Sequence, residues 1–338
     1  MFLQSFWASL PPESDFNAAC IDIAGMGASK LLPIVEAYDR EQIASLINEC
    51  DIHGLEFHAW TMFGMVNRSA YSQEFIEEHR SWLAVNRNGQ DGLDFPLWGR
   101  QIWWCPNSPG YLAHYIERWN CMLADLGAHG LHLDFIRYPD IWDYQDGRAI
   151  ERAEVPEYSF CYCPECRREF KEETGVDPLE VPLDPTDELY QEWRRWRMNV
   201  IVRDVRAIRG AIHPELKLSA AVFPTPEIAR TVVLQDWPSF ADQLDFICTM
   251  IYAQKQWGKP ITWVKDATEE GLAEMAGKCA CYAGFGYPIK DQTPDDLRAG
   301  MLSAAEGGAD GVVIFHYPGL TPEQKEALIL ANESLTGH

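Results

Sequence analysis

The chain contains no stretch of about 18 uncharged apolar residues, so no segment is expected to cross a membrane as a helix. Basic side chains are scarce: 28 Lys plus Arg stand against 51 Asp plus Glu, a formal charge of -23. A surface of that sign repels phosphate backbones and anionic headgroups. It argues against a nucleic-acid partner and leaves solubility, or attraction of a cationic substrate, as its roles. The opening residues Met-Phe-Leu-Gln-Ser-Phe-Trp lack the basic start and long apolar centre of an export signal. The expectation is a cytoplasmic protein if the chain is complete, and a periplasmic or secreted one if a signal has been removed. A three-glycine phosphate turn is also missing, because Gly25-Met26-Gly27-Ala28-Ser29 has neither the third glycine nor a helix start. That weakens the case for an open, doubly wound sheet.

Cysteine is present without forming a disulfide framework. Ten occur in 338 residues, and Cys20, Cys50, Cys121, Cys248, Cys279 and Cys281 are scattered singly in apolar surroundings that suit buried thiols. Cys161, Cys163 and Cys166 cluster in Phe-Cys-Tyr-Cys-Pro-Glu-Cys-Arg, the last two at the spacing that wraps a loop around a tetrahedral metal. A second such pair is missing. A structural zinc would need a fourth ligand from elsewhere, and a redox pair or plain thiols fit the three equally well. No other cofactor is expected.

Aromatic rings are in excess, with 13 Trp, 13 Tyr and 15 Phe making 12% of the chain. Such rings stack on the apolar C–H faces of sugars, so a carbohydrate cleft is one use and core packing the other. With 47% hydrophobic and 23% charged residues the composition is that of a folded globular protein, and 338 residues suit one α/β barrel.

Seven strands are expected, at 18–25, 54–60, 131–138, 217–223, 244–252, 279–285 and 311–317. Helices are expected from Asp39 to about Cys50, at 110–126, around Trp193 to Ile208, and at 261–276, 294–306 and 322–332. This alternation specifies a parallel sheet. A TIM-like (β/α)8 barrel follows, a single catalytic domain over 1–338 with inserts at about 61–109 and 139–185. Leu3 to Ala8 offers the eighth strand, but its link to Ala18 is too short for a crossover helix, so the first unit is expected to be irregular or truncated.

Side chains alternate along a barrel strand between the axis and the helix layer. From Leu131 to Tyr138 the set Leu131, Leu133 and Phe135 is apolar and faces outward, which turns His132 and Asp134 inward. From Leu55 to Trp60 the inward set is Glu56, His58 and Trp60. Barrel enzymes place their sites at strand C-terminal ends, so Asp134 is the leading catalytic candidate. Glu56 and His132, deeper in the barrel, fit a buried structural network as well. Later strand ends add Glu227, Asp236, Tyr252, Tyr287, Asp291, His316 and Tyr317, most of them expected to be structural, and the first insert adds Trp104. Asp245, at a strand start, is excluded. Glycoside cleavage requires two carboxyls roughly 5 to 10 Å apart. Asp134 supplies one, and Glu227, on the loop after the next strand, is the candidate for the acid.

The run Gly130-Leu-His-Leu-Asp-Phe-Ile-Arg-Tyr-Pro139 resembles the signature of a glycosyl-hydrolase-like barrel family distantly similar to α-amylase barrels. Gly54-Leu-Glu-Phe-His-Ala-Trp60 is similar to another strand of that family, and Cys105-Pro-Asn-Ser-Pro109 precedes the helix leading to the signature. Cys163-Pro-Glu-Cys166 with Phe170 and Thr174-Gly175 looks like an insert of some relatives, while Gln235-Asp236-Trp237, Leu244-Asp245-Phe246 and Met250-Ile251-Tyr252 resemble later strands. The resemblance implies a (β/α)8 fold and hydrolysis of glycans, relatives acting on hexosamine-rich bacterial polymers such as peptidoglycan strands or partially deacetylated poly-N-acetylglucosamine. It implies that Asp134 is catalytic and that His58, Trp60, His132, Arg137 and Tyr138 line the pocket, Arg137 orienting a carboxylate through its fork. The chain departs from the pattern at its N-terminus and in its acidic balance. The resulting expectation is a glycoside hydrolase acting on a hexosamine-containing polysaccharide. A non-catalytic carbohydrate-binding barrel and a metal-dependent hydrolase using His58, His132 and Asp134 are the alternatives.

Overall fold

The structure, a computed structural model, describes residues 2–97, 101–139 and 155–337. Eight parallel strands close in sequence order into a barrel: β1 Leu3–Ala8, β2 Ala28–Pro33, β3 Glu56–Met62, β4 Gly130–Asp134, β5 Lys217–Val222, β6 Phe246–Met250, β7 Ala280–Phe285 and β8 Gly311–Phe315. Helices α1 Phe16–Gly25, α2 Arg40–Ile52, α4 Pro109–Asp125, α6 Glu188–Ala211, α7 Pro226–Val233, α9 Trp263–Met275, α10 Pro294–Glu306 and α11 Pro322–Thr336 follow the strands. Short α3 Gln73–Glu78 and α5 Pro164–Thr174 belong to the inserts after β3 and β4, and α8 Ala253–Trp257 follows β6. Parts of both expected inserts, at 98–100 and 140–154, lie outside the described residues.

The first unit is complete, which corrects the expectation of a truncated one. Residues 18–25, expected as a strand, belong to α1, capped by the Asp15 side chain on the Ala18 N–H at 2.9 Å. Its buried residues Phe16, Ala19, Cys20 and Ile23 keep the three-and-four spacing of a helix face. That helix is the crossover thought missing, and it leads to β2, which the sequence reading did not find. In β2 the inward Lys30 is buried only because Glu56 on β3 accepts from its ammonium at 2.8 Å.

The barrel interior is a packed core of its own, with Trp7, Leu32, Trp60, Ala221, Phe246, Cys248, Tyr282 and Val313. Leu131 and Leu133 belong to the larger core outside it, so the expected parity of β4 holds. β4 ends at Asp134, short of the expected Tyr138, because Phe135 turns the chain at a φ of 54°. Gly130 opens the strand beside His58: a Cβ there would lie 2.3 Å from the His58 Nδ1, so only glycine admits the imidazole.

Candidate active site

Register places Trp60 beside His132 and Met62 beside Asp134, so β3 and β4 deliver their inward side chains to the same level of the barrel mouth. Asp134 is 6% exposed. Its Oδ2 accepts from the Trp60 indole N–H at 3.0 Å, and its Oδ1 accepts from the Phe135 N–H at 2.6 Å and the Arg137 guanidinium at 3.5 Å. Burial pushes the carboxyl above the usual carboxylate range, while Arg137, the Phe135 N–H and the Trp60 indole hold it back. Arg137 is itself buried, its guanidinium 4.3 Å from the Phe135 ring centre and 5.1 Å from that of Phe223. Aromatic faces thus stand in for the water it has lost. The loop that carries these groups rests on Gly64, where a Cβ would come within 2.5 Å of the Phe135 carbonyl oxygen.

Above the packed interior the strand ends open into half-buried side chains: Met62, Phe135, Met250, Tyr252, Tyr287 and Phe315. Tyr252 lies 5.1 Å from Tyr287 and 5.6 Å from Phe315, and Phe315 lies 6.1 Å from Trp60, ring centre to ring centre. His316 stacks on Phe315 at 4.9 Å, so Trp60, Tyr252 and His316 share one aromatic wall near Asp134.

Several expected site residues are placed elsewhere. His58 is fully buried near the strand starts, where its Nε2 lies 3.1 Å from Glu56; Glu56 also accepts from Lys30 and Lys217, both at 2.8 Å. The His58 bond and the two ammonium groups hold Glu56 well below the usual carboxylate range, whereas burial pushes His58 down to about 4. This network closes the barrel floor, at the opposite end of the strands from Asp134. His132 sits between floor and mouth, accepting from the Trp7 indole at 3.0 Å through Nε2 and donating to Ser219 Oγ at 2.8 Å through Nδ1. With both nitrogens used, it orients β1 and β5 around β4. Trp104 is fully buried in the first insert, stacked on Tyr111 at 5.0 Å, and is unavailable to a sugar. Tyr138 is buried beside the Cys cluster, and Asp236 is tied to Arg230 at 2.6 Å and to Ser239. Tyr317 turns to the outside of β1, packing on Phe6 with the Lys325 ammonium 5.5 Å from its ring. Asp291 is exposed on the loop after β7, and Glu227 is exposed in the first turn of α7.

Glu36 was missed. It lies three residues past β2, buried, with its Oε1 accepting from the Met62 N–H at 2.7 Å. Burial pushes this carboxyl up to about 7, and the nearby Asp134 charge adds to the effect against Met62, Asn67 and Arg118. Finding it required finding β2, since only the end of a strand brings residue 36 to the mouth. Among the described residues, the one group of His, Cys, Asp and Glu side chains close enough to hold a metal is Cys105, Cys161, Cys163 and Cys166. His58, His132 and Asp134 do not gather into such a group.

Solved structures with the same architecture include a glycoside hydrolase domain, PgaB (BpsB) from Bordetella bronchiseptica, at a TM-score of 0.65 and 13% identity over 99% of this chain and 98% of that one. A class V chitinase from Pseudomonas fluorescens Pf-5 matches at 0.53 and 10% identity over 97% and 98%. The α-L-fucosidase isoenzyme 2 from Paenibacillus thiaminolyticus matches at 0.62 and 12% identity over 99% of this chain and 49% of its own, so the present chain spans about half its length. Likeness at these identities concerns the fold. No curated protein sequence gives a significant match. Residues 28–263, which hold β2 through the start of α9 and with them Glu36, Trp60, Asp134 and Arg137, match the family described as Glycosyl hydrolase-like 10, and the chain belongs to that family.

Proposed function

We propose that the protein is a glycoside hydrolase cleaving a hexosamine-containing polysaccharide, with Asp134 as its catalytic carboxylate. The observation that carries this reading is the setting of Asp134: a buried carboxyl at the end of β4, bonded by an indole and a guanidinium, beside an aromatic wall suited to stacking on sugar rings. Family membership supports the reaction class, and the chitinase among the structural neighbours supports a hexosamine polymer. Asp134 attacks the anomeric carbon or activates water there, and Glu227, exposed in the first turn of α7 after the adjacent strand β5, protonates the leaving oxygen. A second reading gives the acid role to Glu36, favoured by its carboxyl being raised to about 7 beside Asp134.

The test is reducing-end release from a panel of hexosamine and neutral glycans, followed by aryl glycosides of the active sugar with good and poor leaving groups. Release from a hexosamine polymer is expected, and Glu227→Gln should slow the poor leaving group about 100-fold or more while sparing the good one. That pattern in Glu36→Gln instead transfers the acid role to Glu36. Binding without release from any glycan, by a correctly folded protein, would overturn the hydrolase reading in favour of a binding barrel.

A further inference from the structure

The expected trio of cysteines becomes a quartet. Cys105 closes the insert after β3, just before the Ser108 cap of α4, while Cys161, Cys163 and Cys166 come from the insert after β4, the last two at the start of α5. All four are buried, and their sulfur atoms lie within 4.8 Å of one another. Cys105 Sγ is 3.6 Å from Cys163 Sγ and 3.5 Å from Cys166 Sγ. A disulfide needs about 2.05 Å, whereas a tetrahedron built on zinc–sulfur bonds of about 2.3 Å has edges of about 3.8 Å.

We propose that Cys105, Cys161, Cys163 and Cys166 bind one structural zinc ion that clasps the two inserts together. The surroundings suit thiolates. The Val85 N–H donates to Cys161 Sγ at 3.3 Å, Cys163 and Cys166 sit at the positive end of α5, and the buried Arg197 donates to the carbonyl of Phe160, next to Cys161. Four sulfur ligands select a soft tetrahedral ion and leave no open position for substrate or water, so the ion serves the fold rather than the reaction. Its mechanical role follows from its neighbours. Tyr138, which ends the loop carrying Asp134 and Arg137, is buried against these sulfurs, so the clasp braces that loop.

The test is elemental analysis of the full chain, expressed with zinc and dialysed free of loose metal. About one zinc per chain is expected. Cys105→Ser and Cys166→Ser should each lower it several-fold, while Cys121→Ser, on the exposed face of α4, should keep it. Because the first two variants risk misfolding, the wild-type protein is also exchanged with cobalt(II), and tetrahedral d–d bands with thiolate-to-cobalt charge transfer are expected. Metal-free wild type that takes up no cobalt, bound iron with acid-labile sulfide, or an intact mass showing disulfides among these four would each overturn the proposal. None of these outcomes depends on glycan cleavage.

Discussion

At Asp134 two demands meet on one carboxyl. A buried carboxylate destabilises the fold when ionised, yet its indole and guanidinium partners are arranged for the ionised form. The sign is set by the raised folded-state value: the contribution to stability is fully present at low pH and is lost as pH rises through that value. Asp134→Asn removes the buried charge but has one acceptor where the carboxylate has two, so its NH2 faces either the Trp60 indole or the Phe135 N–H and Arg137; with the two effects opposed, its melting temperature at neutral pH should stay within about two degrees of the wild type. A fall of several degrees would show that the carboxylate is structural. Trp60→Phe removes a donor that favours the ionised form, which raises Asp134 further. The acid limb of the pH–rate profile should therefore move to higher pH, and a profile that stays in place contradicts the indole's role. Glu36 makes a parallel prediction on stability. Its carboxyl is raised to about 7, so the wild type should lose stability relative to Glu36→Gln as pH rises through about 7, which urea unfolding at a series of pH values will read.

At the level of elements, two glycines position the site by what they lack. Gly130→Ala would drive a Cβ to 2.3 Å from the His58 Nδ1 and 2.7 Å from the Lys217 carbonyl, both at the barrel floor. It should cost about 1–3 kcal/mol in stability. Gly64→Ala would instead push on the Phe135 and Arg137 carbonyls, so it should lower kcat with a smaller loss of stability, and equal effects of the two variants would contradict the division between floor and mouth. The strands that could be read from sequence were those with clear alternation, β3 and β4 above all, because a period of two sorts charged from apolar side chains. α1 was misread because its apolar run is as short as a buried strand, and β2 was passed over because Ala-Ser-Lys-Leu-Leu-Pro has no such alternation. Losing β2 meant losing Glu36. Trp104 and Tyr138 were misjudged for a different reason: the inserts that bury them have no periodic pattern, and long-range contacts such as Cys105 with Cys166 have no local signal.

Across the whole molecule, the charge of -23 distinguishes substrates that the site alone does not. An acidic barrel attracts glucosamine units, which are cationic, and leaves N-acetylglucosamine unaffected. Raising salt from about 20 mM to about 500 mM should therefore lower kcat/KM for a partially deacetylated polymer and leave the fully acetylated one nearly unchanged. Equal salt responses would mean that the charge serves solubility alone. The closed ladder of eight strands holds β3 and β4 in register independently of the inserts, so Trp60 and Asp134 are positioned by the barrel itself. The most direct test of the account is reducing-end release from the active hexosamine polymer by wild type and Asp134→Asn, with polymer binding measured on both. A loss of about 1,000-fold or more in release, with binding retained, is the predicted result. Release by Asp134→Asn at the wild-type rate would contradict it.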